Sequence, residues 1–442
     1  ISKNVYTELV DKIGATNFCG YTELESPSEI VAIIVNGEKK DSLSLGEEAD
    51  IVLTKTPFYG EKGGQVGDTG ILSADSFTFE VKDTIYPVPD LIVHRGTATK
   101  GTAQIGMSLT AAVDEQRRKN IQRHHTATHL LHEALTRVLG KHVRQAGSLV
   151  TPNFLRFDFN HFTSVSVDDI REVERIVFEQ IMAVKPVVTT VMPIEEAKKS
   201  GARALFDEKY GDEVRVLDIE EYSTELCGGT HVKNTGEIGC IKIIREEGIG
   251  SGIRRINAVV GEPALILAQR TSYALSSLLT MLGEDTDTIV SKIEDLLDEK
   301  KVLERKNREL QVKAAMADIE NTVKPCATAN GVDFVLEKFE NITPDLLRQI
   351  GDRIRNKYPV AVIMLVGVGA EGRVWITSMA SEEAIALGAH AGTLLKEIAA
   401  VMGGKGGGKP SLAQGGVNDA GKLNEAFMKA PEIFAAAMKA KA

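Results

Sequence analysis

The first 110 residues alternate short apolar runs with turn residues, a pattern typical of many short β-strands. Glu29–Val35 is apolar and β-branched, and it stops at Asn36-Gly37, a dipeptide that strongly favours a two-residue hairpin turn. Similar short runs follow at 51–56, 77–81 and 91–93. Because many short strands with few helices favour closure of a sheet, we expect a small β-barrel within 1–110, after a short helix that ends near residue 14.

The period of the apolar residues changes after about residue 111. Glu115–Leu139 contains good helix formers, no Pro and no Gly, and its apolar residues have helical spacing, so the pattern predicts one helix. Strand-like and helix-like segments then alternate at 155–159, 167–182, 187–191, 194–200, 214–219, 240–244 and 253–260. This alternation predicts an α/β domain over 111–262.

Apolar residues recur in sevens between 263 and 324. One heptad position holds Ile289, Leu296, Leu303 and Leu310, and the other holds Ile293, Lys300, Asn307 and Ala314. The heptads predict a helical coiled-coil segment, which either joins two chains or folds back as a hairpin within one chain. From 325 to 442, strands and helices alternate again and predict a C-terminal globular α/β domain. The predicted fold class is therefore α+β with several domains.

One helical stretch and one distant loop carry the clearest chemistry. His125 and His129 are four residues apart, so both imidazoles project from one face of the predicted helix. The segment Cys227-Gly228-Gly229-Thr230-His231 adds a thiolate and a third imidazole, and its glycines let the backbone fold back. Zinc is held by N, S and O donors of this kind, about four to a site. We predict a Zn²⁺ site of His125, His129, Cys227 and His231.

Several alternatives accompany this site. His132 follows His129 on the same face and competes with it as a ligand, whereas His124 points elsewhere and is expected to contact solvent or a phosphate. A zinc peptidase is disfavoured because residue 126 is Thr, where that chemistry needs a Glu base. A purely structural zinc stays open, since four protein ligands leave no coordination position free.

Charge and cysteine content restrict the class of protein. The net charge of −10 argues against a generally basic nucleic-acid binder, so any RNA contact must be local. No apolar run of about 18 residues and no signal peptide occur, which predicts neither a membrane span nor export. Four scattered cysteines fit the reducing cytoplasm better than a disulfide framework. The first residue is Ile1, so we expect a fragment or a processed chain.

Two glycine-rich stretches are candidates for binding. Gly63, Gly64 and Gln65 would permit close approach of the backbone to a ligand, or form a turn between strands. The run Gly403–Gly408 has Walker spacing, but Pro410 replaces the magnesium-binding Ser or Thr and the run follows a helix. Its glycines, with Lys405 and Lys409, still permit contact with a nucleic-acid backbone; a flexible loop is the alternative.

The segments His125–His129 and Cys227–His231 closely resemble the zinc motif of alanyl-tRNA synthetase editing domains. Threonyl-type editing domains share the metal pattern, but Pro57–Asp68 and Gly403–Pro410 favour the alanyl family. The resemblance covers nearly the whole chain. It departs at Gly60 and Lys62, where that family usually carries Ala and Ser.

The resemblance implies the C-terminal half of such an enzyme, with the barrel and the α/β domain as its editing region. The ATP-dependent alanylation domain is then expected upstream and absent. The implied activity is hydrolysis of mischarged Ser-tRNA(Ala) and Gly-tRNA(Ala), in which zinc either activates water or holds the substrate's amino group. The alternative is a non-catalytic module for tRNA binding and dimerisation, with a structural zinc.

Individual residues receive roles in this hypothesis. Thr128 lies about 100° round the helix from His129 and is expected to recognise the serine hydroxyl, while Gln145 lines the pocket by resemblance. The resemblance further implies contacts with the acceptor end and elbow of tRNA(Ala), and a homodimer through the helical segment or the C-terminal domain. A locally basic frame suits acceptor-end phosphates or forms a solvated face; it consists of Arg117, Arg118, Lys119, Arg123 and Arg144.

Overall fold

The structure is a computed structural model that describes residues 3–203, 211–340, 342–368, 374–417 and 421–439. The chain forms two compact units, Ile1–Leu278 and Leu279–Ala442. Both are mixtures of helix and strand, as predicted, while the predicted domain limits at 110, 262 and 324 stay predictions. Within the described ranges, no helix has the length and apolar character needed to cross a membrane.

The first unit begins with a helix and a closed barrel. Helix α1 spans Lys3–Ile13. The strands that follow are β1 (Asn17–Phe18), β2 (Glu25–Val35), β3 (Glu38–Lys40), β4 (Ser42–Leu43), β5 (Glu48–Leu53), β6 (Lys55–Thr56), β7 (Gly70–Ala74), β8 (Phe77–Val88), β9 (Leu91–Lys100), β10 (Ala103–Gln104) and β11 (Ser108–Val113). Six of them pair in the order β11-β7-β8-β9-β5-β2, and β11 also pairs with β2, which closes the barrel and confirms that prediction.

The barrel core and its first hairpin follow from the apolar alternation. Ile30, Ile51 and Phe79 are fully buried and face the same interior. Asn36 and Gly37 both have positive φ angles, 53° and 84°, and join β2 to β3 as the predicted two-residue turn.

The rest of the first unit packs helices against two antiparallel sheets. Its elements are α2 (Glu115–Leu139), β12 (Gln145–Val150), β13 (Leu155–Asn160), α3 (Val167–Met182), β14 (Val187–Pro193), α4 (Ile194–Lys199), β15 (Glu213–Ile219), β16 (Ser223–Leu226), β17 (Ile241–Gly250), β18 (Ile253–Val260) and α5 (Glu262–Leu282). The sheet orders are β12-β13-β18-β17 and β14-β15-β16. The predicted bounds of α2 and α3 are confirmed, and the two predicted strand segments at 240–244 and 253–260 correspond to β17 and β18, which pair with each other.

Helix α2 has defined ends and a buried position. The Asp114 side chain accepts a hydrogen bond from the Arg117 N–H at its start, and Gly140 follows its last turn with a φ of 112°. Leu131 and Leu135 pack in one apolar cluster with Phe157 of β13. This packing fixes the helix against the sheet and so determines where its histidines point.

The second unit contains a long helix followed by a six-stranded sheet with helices. Its elements are α6 (Ile289–Thr322), β19 (Ala327–Ala329), β20 (Val332–Glu340), α7 (Pro344–Lys357), β21 (Ala361–Val368), β22 (Val374–Ala380), α8 (Glu382–Ala386), α9 (Ala391–Val401), β23 (Lys405–Gly408), β24 (Leu412–Val417) and α10 (Leu423–Lys439). The sheet order is β19-β20-β21-β22-β24-β23, and β20 and β21 run parallel with α7 between them. The predicted alternation of strands and helices is confirmed for β20, α7, β21 and β22.

The heptad segment is helical, as predicted, but its coiled-coil pairing stays a prediction. The exposed fractions of Leu296, Leu303 and Leu310 are 40%, 56% and 55%. The heptad leucines of α6 are therefore not covered within the described part of this chain.

Candidate metal centre and cavity

The four predicted ligands meet at one point. Their donor atoms all lie within 4.8 Å of one another, although the helix and the loop are about a hundred residues apart in the chain. Cys227 Sγ lies 3.4 Å from His125 Nε2 and 3.2 Å from His231 Nε2. The rings of His125 and His129 are stacked with centroids 5.4 Å apart, as expected for successive turns of one helix face.

Each of the three imidazoles is oriented through its Nδ1 atom. His125 Nδ1 lies 2.7 Å from Gln65 Oε1, His129 Nδ1 lies 2.8 Å from Glu225 Oε2, and His231 Nδ1 lies 3.2 Å from Thr126 Oγ1. Because the Thr126 hydroxyl donates to the Gln122 carbonyl, its oxygen accepts from His231. All three rings thus present Nε2 toward Cys227. Outer partners of this kind commonly fix the tautomer of metal-binding histidines.

The Cys227 loop is held by its backbone carbonyls. One nitrogen of the Arg215 guanidinium, Nη1, donates to Cys227 O at 3.0 Å and to Gly229 O at 2.6 Å. The Tyr21 hydroxyl donates to Gly228 O at 2.7 Å. The Arg215 guanidinium also stacks on the Tyr21 ring at 4.1 Å. At Gly229, a Cβ atom would lie 2.0 Å from His125 Cε1, so only glycine fits there.

The donor set fits zinc on observations of the structure itself. Histidine nitrogens and cysteine sulfurs are usual ligands of a four-coordinate zinc, whose bond lengths imply donor–donor distances of roughly 3.3 to 3.6 Å. The Sγ–Nε2 distances of 3.4 and 3.2 Å are close to that range. His129 Nε2 is buried and has no hydrogen-bond partner among the described residues. When this nitrogen gives up its proton, a cation is its natural partner.

Burial and neighbouring charges shift the pKa values of Cys227 and His129 in opposite directions. Burial alone would raise the pKa of Cys227, but the imidazoles around it hold that pKa well below its ordinary value. Burial lowers the pKa of His231 to about 3. Burial would also lower the pKa of His129, but the charges of Glu225 and Cys227 raise it to about 10. The group therefore favours a thiolate, the form of cysteine that binds metals.

His125, His129, Cys227 and His231 together are called the metal group. A cavity of about 580 Å³ adjoins this group. Three of the four ligands line it, together with Thr128 of α2 and Gln145 at the start of β12. Four aromatic rings (Phe18, Tyr21, Tyr59 and Tyr86) and two cations (Lys62 and Arg215) line it as well. Its volume is in the range of ligand-binding pockets.

Thr128 has a defined hydrogen-bonding role. The side chain is only 3% exposed, and its hydroxyl donates to the His124 carbonyl at 2.8 Å. Because that proton is engaged, Thr128 Oγ1 is left as an acceptor toward the cavity. Gln145 is half-buried beside the same cavity.

Two histidines outside the group correct or refine the sequence interpretation. His124 is fully buried; its Nδ1 donates to the Asn120 carbonyl, and its Nε2 accepts from the Val260 N–H. The expectation that His124 contacts solvent or a phosphate is therefore wrong, because β18 covers it. His132 is not in the metal group; its Nδ1 lies 3.3 Å from Glu225, and its ring packs on Phe157.

The five basic residues of the predicted frame occupy different environments. Arg118 is 1% exposed, and its guanidinium binds Asp68 and the carbonyls of Gly20 and Pro57, so it has no surface to offer a phosphate. Arg117 and Arg123 are half-buried and donate to the carbonyls of Gly67 and Glu237. Lys119, paired with Glu115, and Arg144 are exposed.

The two glycine-rich stretches form different structures. At Gly64 a Cβ would lie 2.6 Å from the Ser148 carbonyl, so this loop packs its backbone against β12. Gly63 lines the cavity, whereas Gln65 is fully buried beneath it. In the second unit, Lys405 and Lys409 are exposed, and Lys405–Gly408 forms the edge strand β23 of the sheet. The flexible-loop alternative is wrong because β24 pairs with that run.

Sequence reasoning missed the residues that orient the candidate metal ligands. Glu225, Thr126 and Arg215 act through hydrogen bonds that join separate elements. Glu225 alone left a local signal, since an acidic residue two positions before Cys227 lies on the same face of an extended strand.

Three protein families match segments of the chain. The class II (A) tRNA synthetase family matches residues 1–117, and the second additional domain of threonyl and alanyl tRNA synthetases matches 214–257. The DHHA1 domain matches 331–436. The middle segment contains two of the four metal-group residues, Cys227 and His231.

Comparison with whole proteins agrees with these family matches. Alanine–tRNA ligases from Acetivibrio thermocellus and Alkaliphilus oremlandii are each 41% identical over 98% and 96% of this chain, and that from Clostridioides difficile is 37% identical over 96%. The chain spans about half the length of these curated relatives, 48–49%. Among solved structures, the C-Ala domain of Aquifex aeolicus alanyl-tRNA synthetase matches 25% of this chain and 98% of its own, with 28% identity and a TM-score of 0.23.

Proposed function

Because this chain belongs to the alanyl-tRNA synthetase family, we propose that its metal group and cavity hydrolyse the ester bond of wrongly acylated tRNA(Ala). The amino acids released are serine and glycine. The observation that carries this proposal is that His125, His129 and Cys227 line the same cavity as Thr128. A purely structural zinc has no need of a cavity beside it.

Four residues would hold Zn²⁺: His125, His129, Cys227 and His231. When bound, zinc would supply positive charge either to an attacking water or to the amino group of the substrate. Arg215 and Tyr21 keep the Cys227 loop in place through its carbonyls. Glu225 keeps the His129 ring turned toward the same point.

Thr128 provides the basis for selectivity. Its hydroxyl proton is engaged by His124, so Thr128 Oγ1 accepts from the hydroxyl of a seryl group, which the methyl group of alanine cannot replace. A buried acceptor left without its partner costs about 1–3 kcal/mol. Glycine carries no side chain, so its removal does not depend on this contact.

The remainder of the cavity suits the terminal nucleoside of a tRNA. The rings of Phe18, Tyr21 and Tyr86 line the cavity, and a base bound there would stack on an aromatic ring. Lys62 and Arg215 bring positive charge to the cavity, which favours a phosphate near them, while Asp90 and Glu213 line the cavity with the opposite charge. We place the acceptor end of tRNA(Ala) here.

Further contacts complete the proposal. Lys119 and Arg144 are exposed and are the members of the basic frame best placed to meet acceptor-end phosphates. The exposed Lys405 and Lys409 of the second unit would bind the backbone of the tRNA elbow. A homodimer through α6 or the C-terminal segment, and a cytoplasmic setting, belong to the same proposal.

Release of amino acids from Ser-, Gly- and Ala-tRNA(Ala) tests this function. We expect the protein to accelerate decay of the first two and to leave Ala-tRNA(Ala) at its spontaneous rate. Cys227→Ala and His125→Ala should return all decay to the spontaneous rate. Cys240→Ala is the matched control, because Cys240 is an exposed thiol outside the group. Spontaneous decay with the wild-type chain would contradict the proposal and favour a structural zinc.

A further inference from the structure

Gln65 is a barrel residue that reaches into the metal centre. It lies between β6 and β7, is fully buried, and forms an isolated parallel bridge with Val150 of β12. The Val150 N–H donates to Gly64 O at 2.7 Å, and the Val66 N–H donates to Val150 O at 3.1 Å. The backbone on both sides of Gln65 is therefore held against β12, which leaves its side chain in one position.

The orientation of the Gln65 amide follows from its partners. A backbone N–H can only donate, so the atom 2.9 Å from the Thr230 N–H must be the amide oxygen. The same oxygen lies 2.7 Å from His125 Nδ1, and the amide nitrogen donates to Thr230 Oγ1 at 3.0 Å. His125 Nδ1 must therefore carry its proton. The lone pair of this imidazole then lies on Nε2, which faces Cys227.

Gln65 comes from a different part of the chain than Glu225 and Thr126, which orient the other two histidines. Glu225 lies next to the Cys227 loop in the chain and Thr126 belongs to α2, whereas Gln65 precedes His125 by 60 residues. It bonds to the helix through His125 and to the loop through Thr230 at the same time. A single barrel side chain thus ties together the two segments that supply the metal ligands.

We infer that Gln65 is a positioning residue of the metal centre, which fixes the tautomer and ring orientation of His125 and so sets the affinity for zinc. This inference rests on the metal group in the proposed function, and it adds the barrel as a required part of that group. Loss of such an outer partner typically lowers metal affinity about 10- to 100-fold.

Zinc affinity of three variants, measured by competition with a chromogenic chelator, tests the inference without substrate. Gln65→Met has a similar length but leaves the His125 Nδ1–H and the Thr230 N–H unpaired, so we expect an affinity about 10- to 100-fold lower. Gln65→Glu keeps an acceptor for both donors and should stay within a few-fold of wild type. Gln104→Met is the matched control at an exposed barrel glutamine, and should bind zinc as wild type does.

The Co²⁺-substituted protein provides a second measurement. Gln65→Met should change the ligand-field spectrum, because His125 is misplaced, and keep the thiolate-to-cobalt absorption of Cys227. Should that variant fail to fold, Gln65→Asn replaces it, since the shorter side chain cannot reach His125. Wild-type affinity and spectrum in the folded variant would overturn the inference, as would a large loss in Gln65→Glu. Absence of zinc binding by the wild type would instead contradict the metal group itself.

Discussion

Helices α2 and α6 show opposite relations between sequence and burial. The histidine-rich part of α2 is polar, yet every residue from His124 to Leu135 is buried. Helix α6 repeats leucine at heptad spacing, yet none of its side chains from Val290 to Leu310 is buried. Burial in these two helices is thus not set by the polarity of the sequence.

The difference has a physical cause in each helix. In α2, buried polar atoms find specific partners, such as Asp68 for Arg118, the Asn120 carbonyl for His124 and Gln65 for His125. Burial of polar groups is tolerated when each is hydrogen-bonded. In α6, exposed leucines gain nothing from the described part of this chain. A buried polar helix therefore points to a site, and an uncovered apolar stripe points to a partner.

The largest effect that tests this comparison comes from matched leucine truncations. Leu131 of α2 is fully buried, so Leu131→Ala should lower the free energy of unfolding by about 2–5 kcal/mol. Leu303 of α6 is 56% exposed, so Leu303→Ala should change it by less than about 0.5 kcal/mol. Urea unfolding followed by circular dichroism measures both.

The Leu303 result also tests the partner. If Leu303→Ala costs as much as Leu131→Ala, and the cost falls on dilution, a second chain covers α6 in solution. Sedimentation of both variants over the same concentrations separates that outcome from local unfolding. Lys306→Ala is the control for α6, because it is an exposed residue outside both heptad positions.

Local patterns in the sequence predicted most elements and the metal group. His125 and His129 share a helix, and Cys227 and His231 share a short loop, so each pair could be recognised from its spacing. Their meeting depends on packing between distant segments, which spacing does not encode. For the same reason Gln65 and Glu225 were not predicted as orienting residues: their roles exist only after the barrel, α2 and β16 are assembled.

Three elements near the C-terminus, β23, β24 and α10, were not predicted at all. Strand β24 includes Gly415 and Gly416, and β23 is nearly all glycine, so neither has the β-branched residues that indicate a strand. They form because β24 pairs with β22 and β23 then pairs with β24 at the edge of the sheet. Helix α10 contains Pro431, which normally indicates a helix end.

A buried histidine outside any metal group sharpens the comparison through pH. His94 in β9 is fully buried; its Nδ1 lies 3.0 Å from the Ile51 carbonyl and its Nε2 lies 2.7 Å from Thr56 Oγ1. Burial lowers the pKa of His94 to about 4 from its ordinary 6.5. Below pH 6.5 the unfolded chain takes up a proton that the folded chain refuses until about pH 4. The contribution of neutral His94 to the free energy of unfolding is therefore fully present above pH 6.5, and it falls by about 3 kcal/mol toward pH 4.

The variant His94→Gln isolates this term, because it removes the titrating group and keeps a polar side chain. Between pH 6.5 and pH 4, the free energy of unfolding of the wild type should fall by about 3 kcal/mol more than that of the variant. Equal pH slopes for the two proteins would mean that His94 in the folded state takes up its proton near its ordinary pKa. Burial of the protonated imidazole of His94 would then cost less free energy than its buried surroundings indicate.

The smallest effect concerns the polar contact that distinguishes α2 from an ordinary buried helix. Thr128→Val keeps the shape of the side chain but removes Oγ1, the acceptor proposed for the seryl hydroxyl. We expect kcat/KM for Ser-tRNA(Ala) to fall by about 5- to 150-fold, equivalent to 1–3 kcal/mol, and that for Gly-tRNA(Ala) to change little. Thr136→Val is the control, since Thr136 of α2 makes the same i−4 hydrogen bond, to His132 O, away from the cavity. Equal losses on both substrates would show that Thr128 supports the helix instead of reading the substrate, and the polar interior of α2 would then be structural at that position.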